Sequence, residues 1–326
     1  MKLDLTRNPV TAWPGAICVD APTVALGWAW LLSHEQGRQL DSSIGFSLYV
    51  FVWLIYALDR FFQAFGIDAE EDTVRHRFWF NYKFFLSVPV AIATAICFYL
   101  VFCVLPWEFL VCSFVLVMAL SVYLFFCCFT TRKSLNFTPK VWLCGLLFSL
   151  GVQLAAGYYT SPFLEMFRDF QSEDPASLFE KFVFFFSVST YSVYLLIMGN
   201  TILLGVGFAL NCAAISLWQH ERSPDLPDRR SFAALSSKSS VSYVRFVLFW
   251  ISLLLLFATI NLSAVPFGTS AVATSQIYPY SLFTMAATLC LLLVFHAFRK
   301  RFSVETLRLI ADSVFLTPFL WMIFGY

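Results

Sequence analysis

Apolar runs of about 20 residues recur along this chain, and they restrict its possible folds more than any other feature. Sixty per cent of the 326 residues are hydrophobic and only 13% are charged, whereas a soluble domain of this length needs far more polar surface. A bilayer core holds no water, so a segment that crosses it must be a helix or part of a closed barrel. The runs are about twice as long as barrel strands, so the sequence predicts an all-α integral membrane protein.

The apolar runs predict about nine transmembrane helices in a single polytopic membrane domain, residues 1–326. The predicted spans are 16–33, 44–65, 84–104, 107–130, 139–160, 199–218, 242–263, 275–297 and 305–325. The run from Phe182 to Met198 leaves two alternatives. It is either a separate half-helix or the start of one long helix that bends near Gly199 and Asn200.

Positive charge is distributed unevenly between the two faces that this topology defines. With an odd number of spans, 18 of the 21 Lys and Arg residues lie on the face that carries the N-terminus. The other face has only Arg38, Arg168 and Lys181. Because positive charge stays on the cytoplasmic side during insertion, we expect a cytoplasmic N-terminus and a C-terminus on the opposite side.

Overall charge and cysteine usage argue against nucleic-acid binding and against a metal site built from cysteines. The net charge of +1 gives no electrostatic basis for binding nucleic acid. The nine cysteines lie almost entirely inside apolar runs and show no CxxC or Cys/His metal spacing, so we interpret them as small buried hydrophobic residues.

Two acidic segments end the predicted spans 2 and 6, both on the face that we expect to be cytoplasmic. Each has an acid followed by Arg, with a second oxygen-bearing side chain four positions after the acid. Residues i and i+4 share one face of a helix, and Mg²⁺ binds carboxylate and amide oxygens together with substrate phosphates. The segments, Asp59-Arg60-x-x-Gln63 and Glu221-Arg222-x-x-Asp225, therefore predict a magnesium site with the ligands Asp59, Gln63, Glu221 and Asp225.

Basic side chains surround both segments. We expect the stretches 66–82 and 219–240 to form cap loops over the site, with arginines that clamp a diphosphate. The predicted diphosphate-binding residues are Arg60, Arg75, Arg77, Arg222 and Lys238.

At these residues the sequence resembles the UbiA-type membrane prenyltransferase superfamily. Members have nine helices and two acidic motifs, which end spans 2 and 6 and run into a cytoplasmic cap. The first motif is typically Asn-Asp-x-x-Asp-x-x-x-Asp, often with Arg after the middle Asp. Asp59 and Arg60 match the middle Asp and its Arg, while Ile55, Tyr56 and Gln63 stand at the Asn, the first Asp and the last Asp.

The second motif of the family ends in Asp-Arg-x-x-Asp, which Glu221-Arg222-x-x-Asp225 matches, and its earlier Asp falls near Ala214. The cap arginines correspond to Arg75 and Arg77. The resemblance implies a UbiA-like bundle in which Asp59, Glu221 and Asp225 are catalytic. It also implies Mg²⁺ as cofactor and, as substrates, a prenyl diphosphate and a hydrophobic acceptor in the membrane lipid.

Three further polar residues are candidates for the same site. Asp20 lies near the cytoplasmic mouth of span 1, where it either joins the site or caps the helix before Pro22. Tyr56 occupies a motif position, and Asn211 begins the stretch at the end of span 6 that leads into the second acidic segment.

Three functional hypotheses follow. The first is a metal-dependent enzyme that transfers or cyclises a prenyl group. The second is a non-catalytic UbiA-like protein that binds a lipid or pigment or assists the assembly of a membrane complex, which the motif positions without carboxylates favour. The third is a transporter, which ranks last because polar residues are scarce in mid-span.

Overall fold

The computed structural model describes residues 14–66, 74–129, 139–157, 188–222, 240–263 and 279–323. In these ranges the regular structure is helical. A π-helical turn, Leu100–Val104, extends the helix Val74–Tyr99, and a 3₁₀ turn, Arg299–Arg301, precedes the helix Val304–Val314. The helices are α1 Asp20–Glu35, α2 Ser42–Gly66, α3 Val74–Tyr99, α4 Trp107–Phe129, α5 Pro139–Gly157, α6 Val188–Arg222, α7 Ser240–Ser263, α8 Tyr280–Ala297, α9 Val304–Val314 and α10 Pro318–Ile323.

Several of these helices fit a multi-pass integral membrane protein, as the sequence predicts. In the described part of the chain, five segments are long and apolar enough to cross a bilayer. Two shorter apolar segments, Phe109–Tyr123 and Val141–Gly157, accompany them. The five are Ser42–Phe62, Phe78–Val104, Gly199–Trp218, Val241–Leu262 and Tyr280–Ala297.

Three predicted spans have different boundaries in the structure. Helix α3 begins at Val74, well before the predicted start of the span 84–104. Helix α6 begins at Val188 and continues through Gly199 and Asn200, so from Val188 onward the run is one long helix and not a separate half-helix. The predicted span 305–325 is not one helix, because α9 ends at Val314 and α10 begins at Pro318. Proline disfavours helical backbone at the preceding residue and fits the first turn of a new helix, which explains the interruption.

Helices α5 and α6 approach each other closely and pack along much of their length. A Cβ atom added to Gly145 would lie 2.4 Å from the Gly205 carbonyl oxygen and 2.6 Å from the Ala209 nitrogen. Without a hydrophobic driving force between helices in lipid, small residues that let backbones approach closely are what holds such an interface together. We call Gly145, Gly205 and Ala209 the glycine seam.

Aromatic side chains join α1 and α6 to the segment after α9. The Trp28 Nε1–H group donates a hydrogen bond to the Phe315 carbonyl oxygen at 3.0 Å. The Phe208 ring lies 5.5 Å from both the Trp28 ring and the Phe315 ring, measured between centroids. These three residues fix the depth of α1 and α9 relative to α6.

Candidate functional site

The structure describes only part of the predicted magnesium site. Asp59 and Arg60 are half-buried near the end of α2, and Glu221 lies next to the last residue of α6. Asp225 and Lys238 lie outside the described residues, as do the side chains of the other predicted ligands and basic residues. Those side chains belong to Gln63, Arg75, Arg77 and Arg222.

The predicted cap falls on two different kinds of segment. Residues 74–82, which include Arg75 and Arg77, are the first turns of α3 and so continue directly into a membrane-spanning helix. Residues 67–73 and 223–239, which make up most of the predicted cap, lie outside the described residues.

The Glu221 carboxylate forms an ion pair with a residue that the sequence does not identify as its partner. The Arg299 Nε–H group donates to Glu221 Oε2 at 2.7 Å, and Arg299 Nη2 donates to Glu221 Oε1 at 3.1 Å. Such a two-point pair between a guanidinium group and a carboxylate is strong and geometrically specific. Both oxygens are engaged in this pair, so Glu221 would have to share or exchange Arg299 in order to bind a metal ion, and its predicted role stays a prediction.

Next to this pair, a buried aromatic group holds α6, α7 and α8 together. The Trp218 Nε1–H group donates to His296 Nδ1 at 2.9 Å, and the Tyr243 ring lies 5.1 Å from the His296 ring. Arg299 Nη1 also donates to the His296 carbonyl oxygen at 3.0 Å. Arg299 is therefore part of the packing between these helices, and its pairing with Glu221 has a structural explanation.

A polar cluster forms one to two turns deeper in the bundle, around Tyr56. This side chain of α2 lies close enough for electrostatic interaction with Asp20 of α1, Cys144 of α5, Cys212 of α6 and Asp312 of the α9 helix. All five residues keep part of their surface accessible although they sit between helices. We call these five residues the Tyr56 cluster, and it brings together five helices that are distant in sequence.

The start of α1 is positioned by two tryptophans of neighbouring helices. Trp53 Nε1 of α2 donates to the Ile17 carbonyl oxygen at 2.9 Å, and Trp79 Nε1 of α3 donates to the Ala16 carbonyl oxygen at 2.7 Å. Cys18 follows with a φ of 60°, an uncommon left-handed backbone conformation that turns the chain into α1. These contacts place Asp20 in the first turn of α1, beside Tyr56.

Asp312 reaches the same depth from the other side of the bundle. Phe315, one turn after Asp312, packs on Phe208 of α6, and Cys212 lies one turn after Phe208. Beside Cys212, Asn211 has a buried Oδ1 atom without a hydrogen-bond partner. The arrangement places acidic, thiol, phenol and amide groups at one level.

Metal ligation is not evident in this geometry. Among the described residues, no group of three or more His, Cys, Asp and Glu side chains is arranged to hold a metal ion. Asp59 and Gln63 are one turn apart on a continuous helix, which is the spacing that the sequence analysis required. Mg²⁺ binding therefore remains a prediction that depends on Asp59, Gln63, Glu221 and Asp225.

Sequence reasoning identified Asp20, Tyr56 and Asn211 but missed Cys144, Cys212, Arg299 and Asp312. Asp312 carried a usable signal, because it is an acidic residue inside a predicted span, where ionisable groups are rare and functional by default. The other three look like ordinary residues of apolar runs or loops.

No protein-family model, no curated protein and no solved structure matches this chain.

Proposed function

We propose that this chain is a UbiA-like enzyme that transfers or cyclises the prenyl group of a prenyl diphosphate, with a hydrophobic acceptor in the bilayer. The main support is that Tyr56 on α2 lies within the range of electrostatic interaction with Cys212 on α6. These are the two helices whose ends carry the acidic segments. Their approach near those ends is what a bipartite diphosphate site requires.

Each residue then has a definable role. Asp59, Gln63 and Asp225 would hold Mg²⁺, which would supply positive charge to stabilise a departing diphosphate. Arg60, Arg75, Arg77, Arg222 and Lys238 bind the diphosphate oxygens. The Tyr56 cluster lies deeper than Asp59, where the first carbons of the prenyl chain would lie, so its phenol and carboxylates orient the reacting end.

The topological part of the proposal is nine spans with a cytoplasmic N-terminus. Helices α1, α4 and α5 and the α9–α10 pair would add four spans to the five long apolar segments. Labelling of single cysteines placed at Arg38 and at Lys300 with a membrane-impermeant maleimide tests it in intact cells. We expect labelling at residue 38 alone, and labelling at residue 300 would reverse the orientation.

Pyrophosphate release tests the enzymatic proposal directly. The substrate is geranylgeranyl diphosphate, and nanodiscs made from a total membrane lipid extract supply hydrophobic acceptors. We expect Asp59→Ala to reduce Mg²⁺-dependent release by about 10²–10³-fold, the typical cost of losing one electrostatic contact in a reaction site. Asp225→Ala should have the same effect, and Gln63→Asp should tighten Mg²⁺ binding because it adds a carboxylate.

The matched control is Asp41→Asn. Asp41 stands just before the other end of α2, where its Oδ1 accepts the Ser43 backbone N–H at 2.8 Å, and asparagine caps helices as well as aspartate does. This variant should keep full activity. Absence of Mg²⁺-dependent release or binding in the wild type and in all variants would contradict the enzymatic proposal.

The pairing of Glu221 with Arg299 favours a second candidate, a non-catalytic protein that binds a lipid or pigment or supports a membrane complex. A carboxylate already neutralised by arginine contributes little to a metal site. In that case geranylgeranyl diphosphate or geranylgeraniol would bind without any requirement for Mg²⁺, and Asp59→Ala would leave the affinity unchanged.

A further inference from the structure

Several polar atoms are buried without a hydrogen-bond partner near the helix ends that lie away from the proposed diphosphate site. Glu35 is the last residue of α1, Ser281 is the second residue of α8, and Asn261 is near the end of α7. An unpartnered polar atom in such a place loses its hydrogen bonds to water without replacement and therefore calls for an explanation. Within the described residues, these atoms are Glu35 Oε1, Gln153 Oε1, Asn200 Oδ1, Ser281 Oγ, and Asn261 Oδ1 and Nδ2.

Burial is nearly complete for four of these residues, whereas Gln153 keeps part of its surface accessible. The exposed fractions are 3% for Glu35, 8% for Asn200, 5% for Asn261 and 0% for Ser281. Glu35 forms no ion pair among the described residues. Within the described residues, a charged carboxyl group at this depth therefore has hydrogen-bonding groups of α8 beside it but no opposite charge, and its Oε1 atom has no partner.

Three of the residues come to one level between α1, α6 and α8. The Glu35 carboxyl group lies against the first turn of α8, beside the Ser281 side chain and the backbone amides of Tyr280 and Ser281. Asn200 reaches this level on α6. Both Glu35 and Asn200 lie about two turns, roughly 10–12 Å, from the contact between Trp28 and Phe208, where α1 and α6 cross.

Gln153 and Asn261 approach the same level from the flanking helices. Gln153 lies one turn beyond Ser149 on α5, and Ser149 Oγ donates to the Thr201 carbonyl oxygen at 2.7 Å. Asn261 lies one turn beyond Phe257 on α7, and the Phe257 ring covers Gly199. Both residues are therefore about one turn from the neighbours of Asn200.

The chemistry of the unpartnered atoms defines what they can bind. Five of the six are oxygens, four of them able only to accept hydrogen bonds or to coordinate a cation, and only Asn261 Nδ2 is a nitrogen donor. Carboxylate, amide and hydroxyl oxygens are the ligands of hard cations. One carboxylate is neutralised by one positive charge, whereas a divalent ion would leave excess charge in a low-dielectric interior.

We propose that Glu35, Asn200 and Ser281 bind a monovalent alkali cation, with Gln153 and Asn261 at the edge of the site. The site is separate from the diphosphate site proposed above, since it lies at the other end of α1, and its occupation requires neither Mg²⁺ nor a prenyl diphosphate.

Thermal unfolding of the full chain in nanodiscs tests the proposal. The probes are Na⁺ and K⁺ chlorides titrated against N-methyl-D-glucamine chloride at constant ionic strength, with no Mg²⁺ or prenyl diphosphate present. A ligand that binds only the folded state raises the melting temperature with its concentration. We expect Na⁺ or K⁺ to raise it to a plateau, with a measurable apparent dissociation constant.

Substitutions at the site give the second part of the test. Ser281→Ala and Asn200→Ala should each weaken the apparent affinity roughly tenfold or more, since even residues that only orient metal ligands cost 10–100-fold when lost. Glu35→Gln should abolish the cation dependence. The control is Ser33→Ala, because Ser33 lies at the same depth but already donates to the Ala156 carbonyl oxygen at 3.3 Å. It should keep the wild-type affinity.

Two results would overturn the proposal. One is a wild-type melting temperature that does not respond to Na⁺ or K⁺, which would mean that a proton or water satisfies Glu35. The other is an unchanged apparent affinity in Ser281→Ala and Asn200→Ala, which decides the matter even if Glu35→Gln fails to fold. Either result leaves the transferase proposal untouched, since its assay depends on Asp59 at the opposite end.

Discussion

Helices α6 and α3 are both strongly apolar, but they occupy opposite environments. In the span Gly199–Trp218 of α6, 67% of the residues are buried inside the bundle, compared with 22% in the span Phe78–Val104 that α3 contributes. Helix α6 packs against α5, α7, α8 and α9. In contrast, α3 presents Phe84 and Phe102, each 78% exposed, to the surroundings. One helix is the centre of the bundle and the other faces lipid.

The difference shows that average hydrophobicity does not decide position in a membrane protein. Lipid tails are as apolar as leucine, so burial against another helix must be favoured by close packing and by polar contacts. Helix α6 contains small and polar residues, whereas α3 contains many phenylalanines. The small and polar residues of α6 include Gly199, Asn200, Gly205, Gly207 and Asn211. The same small and polar positions bring α6 close to both proposed sites.

The largest expected effect comes from adding a methyl group within the glycine seam. In Gly145→Ala the new methyl group would meet backbone atoms of α6 at 2.4–2.6 Å, and backbone cannot move aside as a flexible side chain can. We expect a loss of about 3 kcal/mol in the free energy of unfolding, at the upper end of the usual cost of overpacking. Unfolding followed by tryptophan fluorescence in mixed micelles measures this loss.

Gly151→Ala on the same helix is the control. Its added methyl group would meet only Leu116 Cδ2 at 3.7 Å, an ordinary van der Waals distance. We expect no loss of stability there, and alanine even favours the helix by about 1 kcal/mol. If both variants unfold alike, close approach of α5 and α6 is not what places α6 at the centre.

The second prediction concerns the end of α6, where the bundle meets water. The Glu221–Arg299 pair is partly exposed, with side-chain exposures of 32% and 18%. A double-mutant cycle of Glu221→Gln and Arg299→Gln should give a coupling energy of about 1 kcal/mol, decreasing with added salt. A coupling energy near zero, together with loss of Mg²⁺ binding in Glu221→Gln, would indicate that Glu221 binds the metal ion and not Arg299.

The sequence was sufficient to predict most of the architecture, because apolar length alone identifies membrane helices. It predicted an all-α membrane protein and placed helices close to eight of the nine proposed spans. It missed the break between α9 and α10, although Pro318 marks it. The small-residue pattern Gly205-x-x-x-Ala209 also signals a tight helix contact, so the glycine seam could have been predicted as well.

The candidate site was less predictable, since its contacts join residues far apart in the chain. Asp20 stood out as an acid near a helix mouth and Tyr56 as the residue at a motif position, but nothing local indicates that Cys212 and Asp312 lie near Tyr56. Likewise, the sequence around Glu221 indicates only a motif acid, and its ion pair with Arg299, 78 residues later, becomes apparent only in the structure. Such pairings depend on how helices pack, and periodicity within one helix contains no information about that.

The smallest expected effect lies on the lipid-facing side of α3, where two valines of one helix make a matched pair. Val88 is 58% exposed and Val90 is 7% exposed, packed in the cluster that includes Ala57 and Trp79. Val88→Ala should change the free energy of unfolding by less than about 0.5 kcal/mol, because lipid tails replace the lost methyl contacts. Val90→Ala should cost about 1–2 kcal/mol, since the packed helix cannot refill the space. Equal losses in the same unfolding assay would mean that the exposed face of α3 packs against protein, and that α3 and α6 are not the opposite environments described above.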